Sequence, residues 1–192
     1  MAPHGSINIV VAHKPEAECL IQVLGLQKDS METGILKNGE IRLMLSGTGI
    51  AAAQQACKHL YQFNSGPDYW LNFGVVGSGQ FQQGTFVKCD RFILQDEVIE
   101  FKDSNGYSVN LPSTSVTTVS RPERGFSEGG VFDMEAHAIA RFVKDLQQPL
   151  VCIKLVSDGP GTPEQCLTPG HLKQFLIQQA PRQMELFRVL LN

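Results

Sequence analysis

No run of apolar residues in this sequence is long enough to span a bilayer, so a membrane-crossing helix is not expected. Met1–Ser6 lack a basic segment followed by an apolar stretch and do not read as a secretory signal. Positive charge is not in excess. Sixteen Lys and Arg against 19 Asp and Glu give a formal net charge of −3, which leaves no basic footprint for nucleic-acid phosphates. The five cysteines, at 19, 57, 89, 152 and 166, are odd in number, scattered and without a CxxC pair. They read as reduced thiols, several of them in the core, and point to the cytoplasm. No His–x₃–His or cysteine pair has metal-ligand spacing, so no metal is expected; the reading reached below calls for no organic cofactor either. Repeats, low-complexity tracts and linkers are missing too, and 1–192 reads as one domain.

What is present is an ordinary globular composition, 42% hydrophobic and 18% charged. Eighteen glycines imply many tight turns, or backbone that approaches a ligand. Ile7–Ala12 reads as a buried strand. It runs through His13-Lys14-Pro15-Glu16 into a helical pattern of Ala17, Cys19, Leu20, Val23 and Leu24, with Pro15 suited to the first turn. A hairpin turning at Asn38-Gly39 is expected between Gly34 and Leu45. Ser46-Gly47-Thr48-Gly49 then leads into a helix over Ala51–Phe63. Asp68–Phe73 is a second buried strand, ending in the glycine-rich Gly74–Gly79. Further strands are expected over Gly84–Leu94, Ser115–Val119 and Leu150–Val156, with a hairpin turning at Asn105-Gly106 and a loop over Arg121–Gly130. Val131–Ala136 leads into a helix through Asp145. A last helix starts near His171 and is interrupted or broken at Pro181; its stripe Leu186, Phe187, Leu190 and Leu191 is expected in the core. Buried strands alternating with helices predict an α/β fold, its sheet mostly parallel and covered on both faces. Ligands in such sheets bind beyond the carboxyl ends of the strands.

The polar residues at those ends are Glu16, Ser46, Asn72, Glu135 and the pair Ser157-Asp158. Plain structural explanations exist for several of them. Glu16 and Glu135, at helix starts, would complement a helix dipole. The turn at 46–49 is neither GxGxxG nor a P-loop, and a tight strand-to-helix turn explains it as well as a cradle for phosphate or sugar does. Asp158 could cap a turn, but it ends a very apolar strand and is presented on Gly159-Pro160-Gly161. His13 and His137 are possible acid–base groups, and His137 stands two residues from Glu135, off its helical face. Ser46, Ser78 and Ser157 fit no nucleophile elbow. The residues alone thus give an α/β enzyme with two or three carboxylates at strand ends. Glycosidic cleavage needs such carboxylates: one acts as acid on the leaving group, another activates water or supports the cationic sugar.

Five segments taken in order carry a resemblance. They are Ile9–Ala12 followed by Glu16, Ser46–Ala53, Leu71–Gly77, Phe132-Asp133-Met134-Glu135-Ala136, and Lys154-Leu155-Val156-Ser157-Asp158. Together they resemble the motifs of bacterial methylthioadenosine/S-adenosylhomocysteine nucleosidases and their nucleoside phosphorylase relatives. The resemblance implies a three-layer αβα fold with a central mixed, twisted sheet. It implies a homodimer and hydrolysis of an adenine-type nucleoside. It also implies roles: Asp158 protonates the departing purine at N7, Glu135 grips the ribose hydroxyls, and Met134 packs near the sugar, in the segment opened by Phe132. Glu16 positions the attacking water, Lys154 stands where the nucleosidases carry an Arg near that water, and Ser157 precedes the acid. Val75, after Gly74, falls where many nucleosidases have a Ser. The chain is also shorter than typical members, the shortfall lying between about Leu94 and Val131, where the family supplies a base-stacking Phe. Phe126 or Thr117–Ser120 are the candidates to replace it. No Arg lies in or beside either glycine turn, which favours water over phosphate as acceptor. A phosphate-dependent phosphorylase and a catalytically idle nucleoside-binding relative are the alternatives.

Overall fold

β1 (Ser6–Val11) is buried on both faces, as its run of Ile7, Ile9, Val10 and Val11 requires. It pairs in parallel with β4 (Ile41–Leu45) on one side and with β5 (Asp68–Ser78) on the other. These coordinates are a computed structural model and describe residues 5–29, 34–63, 68–101, 110–121, 129–162 and 168–191. α1 (Lys14–Leu24) follows β1 with Pro15 in its first turn. β2 (Gln27–Lys28) and β3 (Ile35–Asn38) extend the sheet antiparallel beyond β4, and the expected hairpin turns at Asn38-Gly39 with Gly39 at φ 57°. α2 (Ile50–Gln62) connects β4 to β5.

The second half is β6 (Phe86–Leu94), β7 (Glu97–Glu100), β8 (Ser113–Thr118), β9 (Val131–Asp133), α3 (Ala136–Asp145), β10 (Leu150–Asp158) and α4 (Pro169–Leu191). β10 lies parallel to β5 and antiparallel to β6; β6 and β8 run parallel, as do β8 and β9, and β9 returns antiparallel to β5. β5, β10, β6, β8 and β9 thereby close a ring of pairings. The sheet is therefore mixed rather than mostly parallel, because short connections such as the one between β6 and β7 return the chain antiparallel.

Strand alternation divides the core in two. Ile7, Ile9 and Val11 of β1, Leu71 and Phe73 of β5, and Ile153 and Leu155 of β10 join α1 and α4 in one cluster. Val10, Trp70, Val76, Cys152 and Val156 join α2 and α3 in the other. The stripe on α4 is core as expected: Phe187 and Leu190 are buried, with Leu186 and Leu191 packed against the same cluster. Pro181 does not break that helix. It lies on the exposed side, and the Gln183 amide donates to the Leu176 carbonyl at 3.4 Å while the buried face holds the helix to α1. The expected turn at Asn105-Gly106, Phe126, Cys166 and most of the loop over Arg121–Gly130 lie outside the described residues. Among the described residues no helix is long and apolar enough to cross a membrane.

Candidate active site

The site is built where β1, β5 and β10 end. Glu16, in the first turn of α1, is buried, and both its oxygens accept backbone N–H groups: Oε2 from His13 at 2.8 Å and Oε1 from Val75 at 2.9 Å. The first bond is the local cap expected of an acid at a helix start; the second ties it to β5 and fixes the carboxylate in space. Gly74 makes the approach possible. A Cβ there would stand 3.3 Å from Glu16 Oε1 and 3.6 Å from Lys154 Nζ, so glycine lets both charged groups close on the strand.

Lys154 shares the strand face of Cys152 and Val156 and is fully enclosed. A buried ammonium requires a partner, and Asp133 supplies it with Nζ 2.8 Å from Oδ2. Burial by itself would depress the Lys154 pKa; the Asp133 carboxylate and its neighbours outweigh that and hold it above the usual lysine range. Asp133 also accepts the Thr118 hydroxyl at 2.8 Å and the Ala136 N–H at 2.9 Å. Asp133, not Glu135, thus caps α3. Glu135, free of that duty, reaches across to the glycine turn, where its Oε1 accepts the Gly49 N–H at 2.6 Å. Burial pushes the Glu135 carboxyl up, against the pull of that N–H and of Lys154.

Asp158 closes β10 after a register shift against β5. The shift makes Ser157 a bulge residue. Its hydroxyl lies 3.2 Å from the Val76 carbonyl and 2.6 Å from Asp158 Oδ1. One hydroxyl proton cannot serve both acceptors. With Asp158 protonated, Asp158 donates to Ser157 and Ser157 donates to Val76; with Asp158 ionised, the Ser157 proton turns to Asp158 and the carbonyl is released. Burial pushes the Asp158 carboxyl above its usual range, with the Ser157 bond partly opposing. Gly159 is obligatory behind it, since a Cβ there would collide with the Phe81 carbonyl.

These groups face a cleft of about 730 Å³, within the usual range for small-molecule sites. Glu16, Val75, Phe132, Met134, Glu135, Ser157 and Asp158 line it, whereas Gly74 and Lys154 stand behind its wall. Among the described residues the lining includes no Lys or Arg. Other strand-end candidates fall away from the cleft. Ser46 bonds the Gly47 carbonyl on the margin of a separate depression beside α2. Asn72 is buried in the sheet between the Val10 carbonyl and Cys152, and Ser78 braces the turn at Gln80-Phe81. His137 is buried on α3, 3.6 Å from Glu97. A larger, open depression of about 1170 Å³ between β7 and the end of α3 holds none of the clustered carboxylates. The sequence alone gave no role to Asp133, though it stood inside one of the motifs, and it offered Thr118 only within the base-stacking stretch Thr117–Ser120, whereas its hydroxyl braces Asp133 and accepts the His137 N–H. It also missed the lining from α4, including His171, Gln174, Phe175 and Gln178. The polar positions 171, 174 and 178, one helical turn apart, were the available signal. Val119, from the stretch offered as a base-stacking replacement, does reach the cleft.

No protein-family model matches the sequence, and no curated protein matches it. Solved structures do match its fold. A nucleosidase (MTAN) of Chlamydia trachomatis is 22% identical with a TM-score of 0.77, covering 96% of each chain. The Arabidopsis thaliana 5′-methylthioadenosine nucleosidase is 17% identical with a TM-score of 0.77, over 97% of this chain and 96% of that one. The Streptococcus pneumoniae 5′-methylthioadenosine/S-adenosylhomocysteine nucleosidase, solved with a transition-state inhibitor, is 18% identical with a TM-score of 0.77, over 97% of this chain and 98% of that one. The chain has the fold of these nucleosidases.

Proposed function

We propose that this chain hydrolyses the N-glycosidic bond of an adenine-type purine nucleoside. One observation carries the reading. Asp158, held toward its protonated form by burial, shares a cleft with Glu16 and Glu135, and that cleft presents no Lys or Arg among the described residues. In the mechanism, Asp158 gives its proton to the purine N7 as the bond from C1′ to N9 breaks, so the base leaves neutral. The sugar becomes oxocarbenium-like, and the carboxylates around it stabilise that charge. Glu16, fixed by two N–H groups, orients the attacking water and takes its proton. Glu135 holds the ribose hydroxyls, with Met134 and Phe132 against the sugar. Lys154, neutralised by Asp133, acts from behind the wall by setting the position of the Asp133 and Glu16 carboxylates. Val75 contributes its backbone N–H to Glu16 in place of a serine hydroxyl.

The phosphorylase alternative needs cations at the acceptor position. The buried ammonium of Lys154 is taken by Asp133, and the Gly49 N–H of the glycine turn is taken by Glu135. A phosphate dianion would meet carboxylates. The reading includes a single αβα unit over 1–192, supported by a core cluster on each face of the sheet, and a cytoplasmic homodimer. The four described cysteines are free thiols, which fits a reducing compartment; the dimer rests on the resemblance alone. The neighbour from S. pneumoniae was solved with a transition-state inhibitor, which fits the same chemistry. The test is release of free base from methylthioadenosine, S-adenosylhomocysteine, adenosine and inosine, with and without phosphate. Release without phosphate that is lost in Asp158→Asn is expected. Release that requires phosphate would make the chain a phosphorylase, and no release from any substrate would make it an idle binder.

A further inference from the structure

We propose that Thr118 is a positioning residue for Glu135: its hydroxyl fills the capping place at the start of α3 that Glu135 would otherwise take, and so sends the Glu135 carboxylate into the cleft. Only the sugar-binding role of Glu135 rests on the nucleosidase reading. Glu135 is the residue that opens α3, at φ −133° and ψ −32°. A side chain at that place ordinarily turns back and accepts the second or third backbone N–H of its helix. Glu135 makes no such bond. The first N–H groups are met from elsewhere. Ala136, first in the helix, donates to Asp133 Oδ2 at 2.9 Å. His137, second, donates to Thr118 Oγ1 at 3.0 Å. The third, from Ala138, bonds the Glu135 carbonyl at 3.1 Å. Thr118 therefore holds the N–H that a side chain at 135 would claim.

The sheet puts Thr118 there. It ends β8, is buried, and stands opposite Asp133 in the parallel pairing with β9. Its hydroxyl proton goes to Asp133 Oδ1 at 2.8 Å, which leaves its lone pairs for His137. One hydroxyl thus serves as donor and acceptor at once. Asp133 is already committed, since its Oδ2 holds both Lys154 Nζ and the Ala136 N–H. Without the hydroxyl, the His137 N–H would be enclosed with no acceptor, which is unfavourable. Glu135, as the helix-opening residue, is placed to answer it. Doing so would take its carboxylate off the Gly49 N–H and out of the cleft.

The test compares Thr118→Val and Thr118→Ala, which remove the hydroxyl, with Thr118→Ser, which keeps it. Each is made on Asp158→Asn. Calorimetry gives dissociation constants for methylthioadenosine and its 2′,3′-dideoxy analogue, and crystal structures of the same variants give the place of Glu135. With Thr118 intact, the ribose hydroxyls are expected to tighten binding at least about tenfold, as hydrogen bonds to a carboxylate do. Thr118→Val and Thr118→Ala are expected to cut that ratio at least about fivefold, by weakening methylthioadenosine and leaving the dideoxy analogue within about twofold. Thr118→Ser restores the ratio. The crystals should show Glu135 on the His137 N–H in the variants without a hydroxyl. A threonine that merely supports the fold would weaken both ligands alike. Such equal weakening, an unchanged ratio, or Glu135 still on Gly49 with Asp133 turned to His137 overturns the proposal. A ratio near one with Thr118 intact, or no binding of either nucleoside, sinks the sugar-binding role of Glu135 instead, and the crystals alone then decide whether Thr118 sets its position.

Discussion

Asp158 illustrates how one side chain's surroundings set its chemistry. Its carboxyl is half-buried and pushed up, so the protonated form survives to higher pH than for an exposed aspartate. Base release should therefore be fastest on the acid side and fall as pH rises through that raised value. The same shift has a stability consequence. A group whose folded pKa lies above its unfolded value contributes fully below the unfolded value, and that contribution is lost as pH rises through the folded one. Asp158→Asn should abolish the alkaline limb together with the activity. At neutral pH it should melt at or above the temperature of the parent, because no charge is left to bury. A lower melting temperature would mean that Asp158 is a structural cap after all. Ser157→Ala tests the bulge. The Val76 carbonyl loses its donor, at a cost of roughly 1–3 kcal/mol, and Asp158 loses the bond that lowers its pKa. The alkaline limb of the pH profile should then move to higher pH. A limb that stays in place would show that the hydroxyl does not touch the acid in solution.

At the scale of elements, the buried pair of Lys154 and Asp133 ties β10 to β9 and, through the Ala136 N–H, to the start of α3. Removing one member leaves the other charge enclosed without its direct partner, a loss typically of about 3–5 kcal/mol. Lys154→Met and Asp133→Asn should each lower the urea midpoint accordingly. The double variant should lose clearly less than the sum, since the surviving charge is gone. Additive losses would show that the two groups are not coupled. Lys154 also shows why the sequence was legible only in part. The apolar runs at Ile7–Ala12 and Leu150–Val156 announce strands, and Asn38-Gly39 announces its turn, because these signals are local. The strand face of Lys154, its partner 21 residues away and the antiparallel return of β6 are long-range facts. For the same reason Glu135 looked like a helix cap until Asp133 was seen to hold that position. Pro181 was expected to interrupt or break α4 because helix propensity is local, whereas the buried face that carries the helix through it is tertiary.

Across the whole molecule, the carboxylates of Glu16, Asp133 and Glu135 are gathered around one ammonium, in a protein whose total charge is only −3. The site is therefore negative beyond what the composition suggests, and burial protects it from screening by salt. Such a field is worth little to a neutral nucleoside. It matters when the sugar becomes cationic, which is the differential binding that accelerates a reaction. At an effective dielectric of about 20, one unmatched charge about 5 Å from the sugar contributes roughly 3 kcal/mol, on the order of a hundredfold in affinity. A nucleoside analogue with a protonated ring amine in place of the ribose oxygen should thus bind at least about a hundredfold more tightly than its neutral carbocyclic counterpart. Glu135→Gln should reduce that ratio about tenfold or more, while affecting the neutral analogue less. Raising the salt concentration from low to physiological should change the ratio little, since the charges involved are enclosed. Equal affinity for the two analogues would remove the electrostatic basis for base departure in this cleft. A preference that collapses with added salt would place the attracting charge at the surface instead of at Glu16 and Glu135.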